Sequence, residues 1–367
     1  MAEQSREIPQ DLSVPLFNSL RQYRNIKNEI SNAINFVLES GCYVSGVATK
    51  TLEMQLAEYC GTKYAVAVSS GTAAIYLALL EAGVCPNDDV LVPSHTFIAT
   101  IEAITLIGAN PIYCDISPYT YNIRLDEIER KKTDATKAII TVHMYGNMCA
   151  MDDISSYASR NNIRIVEDAC QAIGSEYRGA KAGSIGDFGC FSFYPTKNLG
   201  TYGEGGAIVT NSRVSYDNLI AIRNHNAVTK HLHLPGGFNF RISELQAGVL
   251  VAKLKFLDDW INRRREIASI YDRVIKDNVT KPQESKNNKH SYHLYVIRSE
   301  ERDALCNRME KSGIGFGIHY PIPCHTQYQS KESLPFTELV SRQILSIPMF
   351  PELTNGEVQR VCEVING

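Results

Sequence analysis

Between Tyr64 and Asn211 the chain alternates short apolar runs with stretches whose apolar residues return every three or four positions. The runs YAVAVSS (64–70), DVLVPSHTF (89–97), NPIYCDI (110–116), KAIITVHMYG (137–146), IRIVEDA (163–169), FGCFSFY (188–194) and GAIVTN (206–211) are rich in Val, Ile and aromatic residues. Turn formers bound them, so they read as strands. AAIYLALLEAG (73–83) and MDDISSYASRNN (151–162) read as helices between them. Near-continuous apolar strands alternating with helices predict an α/β fold with a mainly parallel central sheet covered on both faces.

After about Ser243 the texture changes. The stretch 243–275 keeps apolar residues at helical intervals and predicts one long helix. KPQESKNNKHS (281–291) reads as an exposed loop, HLYVIRS (293–299) as a strand, and 301–312 as a helix, followed by the Pro-rich HYPIPCH (319–325). This pattern predicts a large domain over residues 23–245 and a smaller α+β domain over 246–367, with residues 1–22 packing near the small one.

Composition narrows the function classes. With 367 residues, 44% of them hydrophobic, the chain can bury more than one compact unit. A formal net charge of −3 lacks the basic excess that nucleic-acid phosphates require. No apolar run is long enough to cross a bilayer, and the N-terminus lacks a signal-peptide profile, so a cytoplasmic protein with no membrane partner is expected. The ten cysteines form no C-x-x-C pair and no zinc-binding spacing, which predicts no metal site and reduced, packed thiols. Cys170 and Cys190 flank the motifs below, and packing is the expected role of both.

Three features carry chemistry. Lys197 lies in GDFGCFSFYPTKNLGTYGEGG (186–206), behind the aromatic residues Phe191, Phe193 and Tyr194. A lysine is ordinarily a solvated surface group, as expected of Lys63, Lys137 or Lys255. In a packed aromatic setting its amine is held neutral and can condense with an aldehyde. Asp168 ends an apolar strand in IRIVEDACQ, where a carboxylate can pair with a protonated pyridine nitrogen or, more simply, cap a helix. SSGT (69–72) joins a strand to a helix, so its free N–H groups suit a phosphate, although a Ser cap alone is commonplace. Phosphate cradle, pyridinium partner and imine former together are the contacts that pyridoxal 5'-phosphate (PLP) needs.

These segments, with PSHTFIAT, GFNFRISELQA and GIHYPIP, resemble the DegT/DnrJ/EryC1/StrS family of sugar aminotransferases, which have the aspartate-aminotransferase fold (PLP fold type I). The resemblance runs from LFNSLRQYRNIKNEI to LSIPMFPELTNGEV, nearly the whole chain. It implies that Lys197 is the catalytic Schiff-base lysine and moves the proton between substrate and cofactor. Asp168 would hold the pyridine nitrogen protonated, Gln171 would approach the 3-hydroxyl, and Phe97, otherwise an ordinary core aromatic, would stack on the ring. Ser70, Gly71, Thr72 and Ser192 would hold the phosphate. Asn239 would reach the phosphate in the neighbouring subunit, giving a homodimer with shared active sites. His319 and Tyr320 would lie near the sugar nucleotide. His143 and His225 are further histidines in family motifs, each with a structural role as the simpler reading. Asn226 replaces a usual glycine and Glu204 a usual aspartate; the former departure bears on a loop near the substrate entrance.

The implied reaction moves an amino group from L-glutamate to a keto group, C3 favoured over C4, of a nucleotide-linked (dTDP or UDP) deoxy- or acetamido-hexose. Pyridoxamine 5'-phosphate is the cofactor's alternate form. Such amino sugars supply lipopolysaccharide O-antigen or glycosylated metabolites. Retention of Lys197 favours transamination over the dehydration carried out by relatives with histidine there. Two alternatives remain: an aminocyclitol (keto-inositol) aminotransferase, and a non-catalytic PLP-binding regulatory protein.

Overall fold

The structure is a computed structural model that describes residues 14–284 and 287–367. Expectations for residues 1–13 lie outside the described residues. The seven apolar runs form one sheet: β1 (Tyr64–Val68), β2 (Asp89–Pro93), β3 (Asn110–Cys114), β4 (Thr136–Val142), β5 (Arg164–Asp168), β6 (Phe188–Ser192) and β7 (Gly206–Thr210). Their spatial order is β1-β7-β6-β5-β4-β2-β3. β7 runs antiparallel to both neighbours and the remaining pairs are parallel. Six strands therefore end at the same edge of the sheet, and β7 begins there.

The apolar runs are near-continuous because both faces are buried. Ala65, Ala67, Leu91, Ile139 and Ile165 point into one core, with helices Val47–Cys60, Met151–Asn161 and Glu244–Leu254. Val66, Val68, Val90, Val92, Ile140 and Val166 alternate into the other, with helices Gly71–Glu81 and Ile98–Ile107. A third core gathers Tyr271, Tyr295, Ile297, Leu345, Ile347 and Phe350 around the antiparallel strands Tyr295–Arg298 and Ile344–Ile347. Val14 joins this third core and forms a bridge with Ile314.

Two expectations from the hydrophobic pattern need correction. The stretch 243–275 is two helices, Glu244–Leu254 and Leu257–Val274, not one. No Gly or Pro marks the break at Lys255–Phe256. The first helix is buried nearly all round, and the second starts in the same core through Leu257 and Ile261 and then turns Ile267, Ala268 and Tyr271 to the third core, so packing imposes the bend. The polar segment 281–291 is not simply an exposed loop. Asn288–Lys289 pair with Glu176–Tyr177, and His290 and Ser291 are buried.

Candidate active site

A cavity of about 580 Å³ opens at the edge where the six strands end. Each wall comes from a strand end or the turn after it. β1 runs into Ser70, whose side chain accepts a hydrogen bond from Ala73 N at 3.1 Å and caps the helix Gly71–Glu81. Gly71 and Thr72, whose N–H groups have no partner within the helix, line the cavity at the positive end of an eleven-residue helix. Ser192, the last residue of β6, lines the same corner. The fit there is close: a Cβ on Gly71 would stand 2.7 Å from Ser192 Cβ and 2.9 Å from Cys170 Sγ. A Cβ on Gly206 would stand 2.3 Å from Ser70 O, which explains one glycine of the GEGG turn.

Asp168 closes β5 and is 5% exposed. Its Oδ2 accepts from Thr100 Oγ1 at 2.8 Å and its Oδ1 from Cys170 N at 3.2 Å. No helix begins at Asp168, so capping does not account for it. Gln171 is held from both sides: Tyr145 N donates to its Oε1 at 2.9 Å, and its Nε2 donates to Tyr320 Oη at 3.2 Å. Lys197 projects from the turn after β6, its N–H bonded to Tyr194 O at 2.9 Å. Burial lowers the pKa of its amine, and Cys170 and Asp168 pull the other way. Lys63, Lys137 and Lys255 are exposed. Among the described residues Lys197 alone is a lysine or arginine lining the cavity.

The opposite wall belongs to the Pro-rich segment. Tyr320 faces Phe97, ring centroids 5.6 Å apart, and burial raises its phenol pKa. His319 Nδ1 bonds Ser346 Oγ at 2.8 Å, and burial, reinforced by Lys197, pulls its pKa down to about 4. Cys170 and Glu204 also line the cavity, whereas Cys190 packs in the core.

The structure thus brings Ser70, Gly71, Thr72, Phe97, Asp168, Gln171, Ser192, Lys197, His319 and Tyr320 to one cavity. Asn239 lies outside it, exposed, its Oδ1 accepting from Arg241 Nη2 at 2.7 Å. His225 is exposed on the same surface. His143 is buried away from the cavity, paired with Glu167 at 2.8 Å, and accepts from Cys149 N through Nδ1 at 3.2 Å, an internal role.

The sequence reading missed a supporting network. Thr100 orients Asp168. Tyr145 donates to Gln171 through its backbone and to the His319 carbonyl through its hydroxyl. His95 Nε2 bonds that hydroxyl at 2.8 Å. Thr100 sits three residues after Phe97, a helical spacing that could have flagged it; nothing in the sequence pairs Tyr145 with residue 319.

The arrangement suits PLP on its own terms. It offers free N–H groups for a phosphate, a buried carboxylate lining the cavity, and an amine biased toward neutrality. Of the described residues, no group of His, Cys, Asp and Glu has the geometry to hold a metal, and no helix is long and apolar enough to cross a membrane.

Comparison with known proteins is consistent across the chain. The model of the DegT/DnrJ/EryC1/StrS aminotransferase family matches residues 24–366. The dTDP-3-amino-3,6-dideoxy-alpha-D-galactopyranose transaminase of Aneurinibacillus thermoaerophilus is 41% identical, over 95% of this chain and 98% of its own. A Geobacillus stearothermophilus protein named as a pleiotropic regulatory protein is 38% identical, over 96% and 98%. The crystal structure of S. venezuelae DesV superposes with a TM-score of 0.94 at 36% identity, covering 96% of this chain and 97% of that one.

Proposed function

Because the chain belongs to the DegT/DnrJ/EryC1/StrS aminotransferase family, we propose that it transfers an amino group from L-glutamate to the C3 keto group of a dTDP- or UDP-linked deoxy- or acetamido-hexose. It is a PLP-dependent aminotransferase. The observation that carries the proposal is the convergence of Lys197, Asp168 and the helix N-terminus at Gly71 on one cavity at the carboxyl edge of the sheet.

When bound, PLP supplies an electron-withdrawing ring that carries the amino group between donor and acceptor. Lys197 would supply the amine that holds the cofactor, and would hold and move a proton at Nζ. The carboxylate of Asp168, steadied by Thr100, holds the ring nitrogen protonated. The N–H groups of Gly71 and Thr72, with the Ser70 and Ser192 hydroxyls, hold the phosphate. Gln171 would hydrogen-bond near the 3-hydroxyl, and Phe97 would stack on the ring. His319 and Tyr320 bound the space for the sugar. With its pKa near 4, His319 is neutral at working pH, so it reads hydroxyls rather than balancing phosphate charge.

Among the described residues, that leaves the diphosphate of a nucleotide sugar without a Lys or Arg partner other than Lys197 in this chain's cavity. The exposed Asn239, with Val228, Leu232 and Leu234 exposed on the nearby hairpin, supports a homodimer in which each chain completes its neighbour's site. The preference for C3 rests on the likeness to a 3-amino sugar transaminase and on the HYPIPCH segment. The relative named as regulatory keeps the non-catalytic alternative in view; the assembled Lys197 and Asp168 speak for catalysis.

The test loads the protein with PLP, converts it with L-glutamate, removes the donor, and offers nucleotide-linked 3-keto and 4-keto 6-deoxyhexoses and keto-inositol in turn. Aminated 3-keto product in the mass spectrum is expected. Product from the 4-keto isomer or keto-inositol alone would reassign the substrate, and no product from any would favour the regulatory alternative.

A further inference from the structure

Two polar groups at this cavity lack a partner, and they complement each other. His293 lines the cavity, is 7% exposed, and its Nδ1 is buried with no hydrogen-bond partner among the described residues. Leaving such an atom unmet costs about 1–3 kcal/mol. The amine of Lys197 faces the same cavity and interacts with Asp168 and Cys170 only through charge, without a hydrogen bond.

The other polar groups nearby are engaged. Asp168 accepts from Thr100 and Cys170 N, Gln171 bridges Tyr145 and Tyr320, and His319 Nδ1 bonds Ser346. The position of His293 is also built with care. Arg264, itself buried, donates to the carbonyls of Tyr292 (3.1 Å), His293 (3.3 Å) and Met349 (2.8 Å). Asn198, next to Lys197, donates to Ser291 O at 3.1 Å, which ties the lysine turn to the His293 segment. Burial first, then Lys197, Arg264, His319 and His290, all disfavour the charged imidazolium of His293, so the ring is biased toward the neutral form, in which one nitrogen can accept. Asp168 and Cys170 also act on Lys197, raising its pKa.

We propose that His293 is a positioning residue for Lys197, its free imidazole nitrogen accepting a hydrogen bond from the lysine amine whenever that amine is not bonded to the cofactor. The inference rests on the role of Lys197 given above. A buried lysine amine released on a flexible four-carbon stem would otherwise wander. Held by His293, it stays aimed at the reacting carbon and out of the space the sugar must enter.

The test uses the apoenzyme, so it does not depend on turnover of any sugar. The ring nitrogens of His293 are read by NMR in ¹⁵N-histidine protein, in wild type and Lys197→Ala. Removing the lysine should move the His293 acceptor signal toward that of an unbonded nitrogen. A signal unmoved by Lys197→Ala overturns the contact, and a signal that moves only when a keto-sugar is added gives the ring to the substrate instead. In parallel, the pH dependence of Lys197 acylation by an amine reagent is mapped by peptide mass spectrometry. His293→Phe should lower the midpoint by about one unit, and His293→Asn, which retains an acceptor, should restore most of it. Equal midpoints in all three proteins, or equal shifts in both variants, would refute the proposal. If the contact is present while every keto-sugar is refused, the substrate assignment fails and this inference stands.

Discussion

Replacing Tyr145 by Phe removes one oxygen from the centre of the site and leaves the fold's apolar packing in place. The Tyr145 hydroxyl donates to the His319 carbonyl, so its remaining lone pairs accept from His95, which fixes the proton of that imidazole on Nε2. Tyr145 and His95 are 2% and 1% exposed. Tyr145→Phe strands two groups, the His319 carbonyl and the His95 Nε2–H. Each unmet buried group costs about 1–3 kcal/mol, and the lower end of the sum is about 2 kcal/mol. That energy anchors the segment carrying His319 and Tyr320, so local opening there should become roughly 30-fold more populated. Gln171 should stay in place, because Tyr145 holds it through a backbone N–H. The assay is hydrogen–deuterium exchange of the amides flanking the segment, Gly317 (bonded to Ser346 O, 3.1 Å) and Cys324 (bonded to Ser94 O, 3.1 Å). Both should exchange roughly 30-fold faster, while amides of β5 keep their rates and PLP stays bound. Unchanged exchange at Gly317 and Cys324, or equal acceleration across the sheet, would show that the hydroxyl does not anchor this wall.

Further expectations follow from the same geometry. Lys197→Ala should abolish turnover and the PLP mass that borohydride fixes on the 197 peptide; a retained adduct would place the imine former elsewhere. Asp168→Asn should keep the fold but slow the glutamate half-reaction about 10²-fold, the effect of losing one charge-assisted hydrogen bond of ~3 kcal/mol, read by stopped-flow absorbance. Thr100→Val should weaken the same step by roughly tenfold through loss of the 2.8 Å bond to Asp168, and Thr100→Ser should restore it. Burial holds His95 near pKa 4 and, with Arg265, His290 near 3, both below the usual histidine value of about 6.5. The unfolded chain therefore binds more protons than the folded one between these limits. The stability that these two histidines contribute is full above about pH 6.5 and falls as pH drops toward 4, by up to ~3 kcal/mol each. Denaturant midpoints at pH 7 and pH 5 check this, and a higher midpoint at pH 5 would contradict it.

How much of this was legible in one dimension depends on the range of the interaction. The seven strands could be read because burial on both faces demands an apolar residue at nearly every position, a local signature that needs no partner to be recognised. Ser70, Gly71, Asp168 and Lys197 could be singled out because each ends or follows a strand, and six of the seven strands finish at one edge. The break at Lys255–Phe256 was hidden, since either side continues a helical pattern and only the passage of the second helix from the shared core to the third sets its new direction. The pairing of Asn288–Lys289 with Glu176–Tyr177 was hidden for the same reason, as polar residues become a strand only when a distant edge accepts them.

The site divides along this line. Chemistry that rests on one residue's type and its place at a strand end was determined by the sequence. Contacts joining distant segments were decided by the tertiary structure: Thr100 to Asp168, Tyr145 to His319, and Arg264 behind His293. The side chains in these contacts look ordinary in the sequence, and they acquire roles only because the fold removes water and brings distant donors and acceptors within reach.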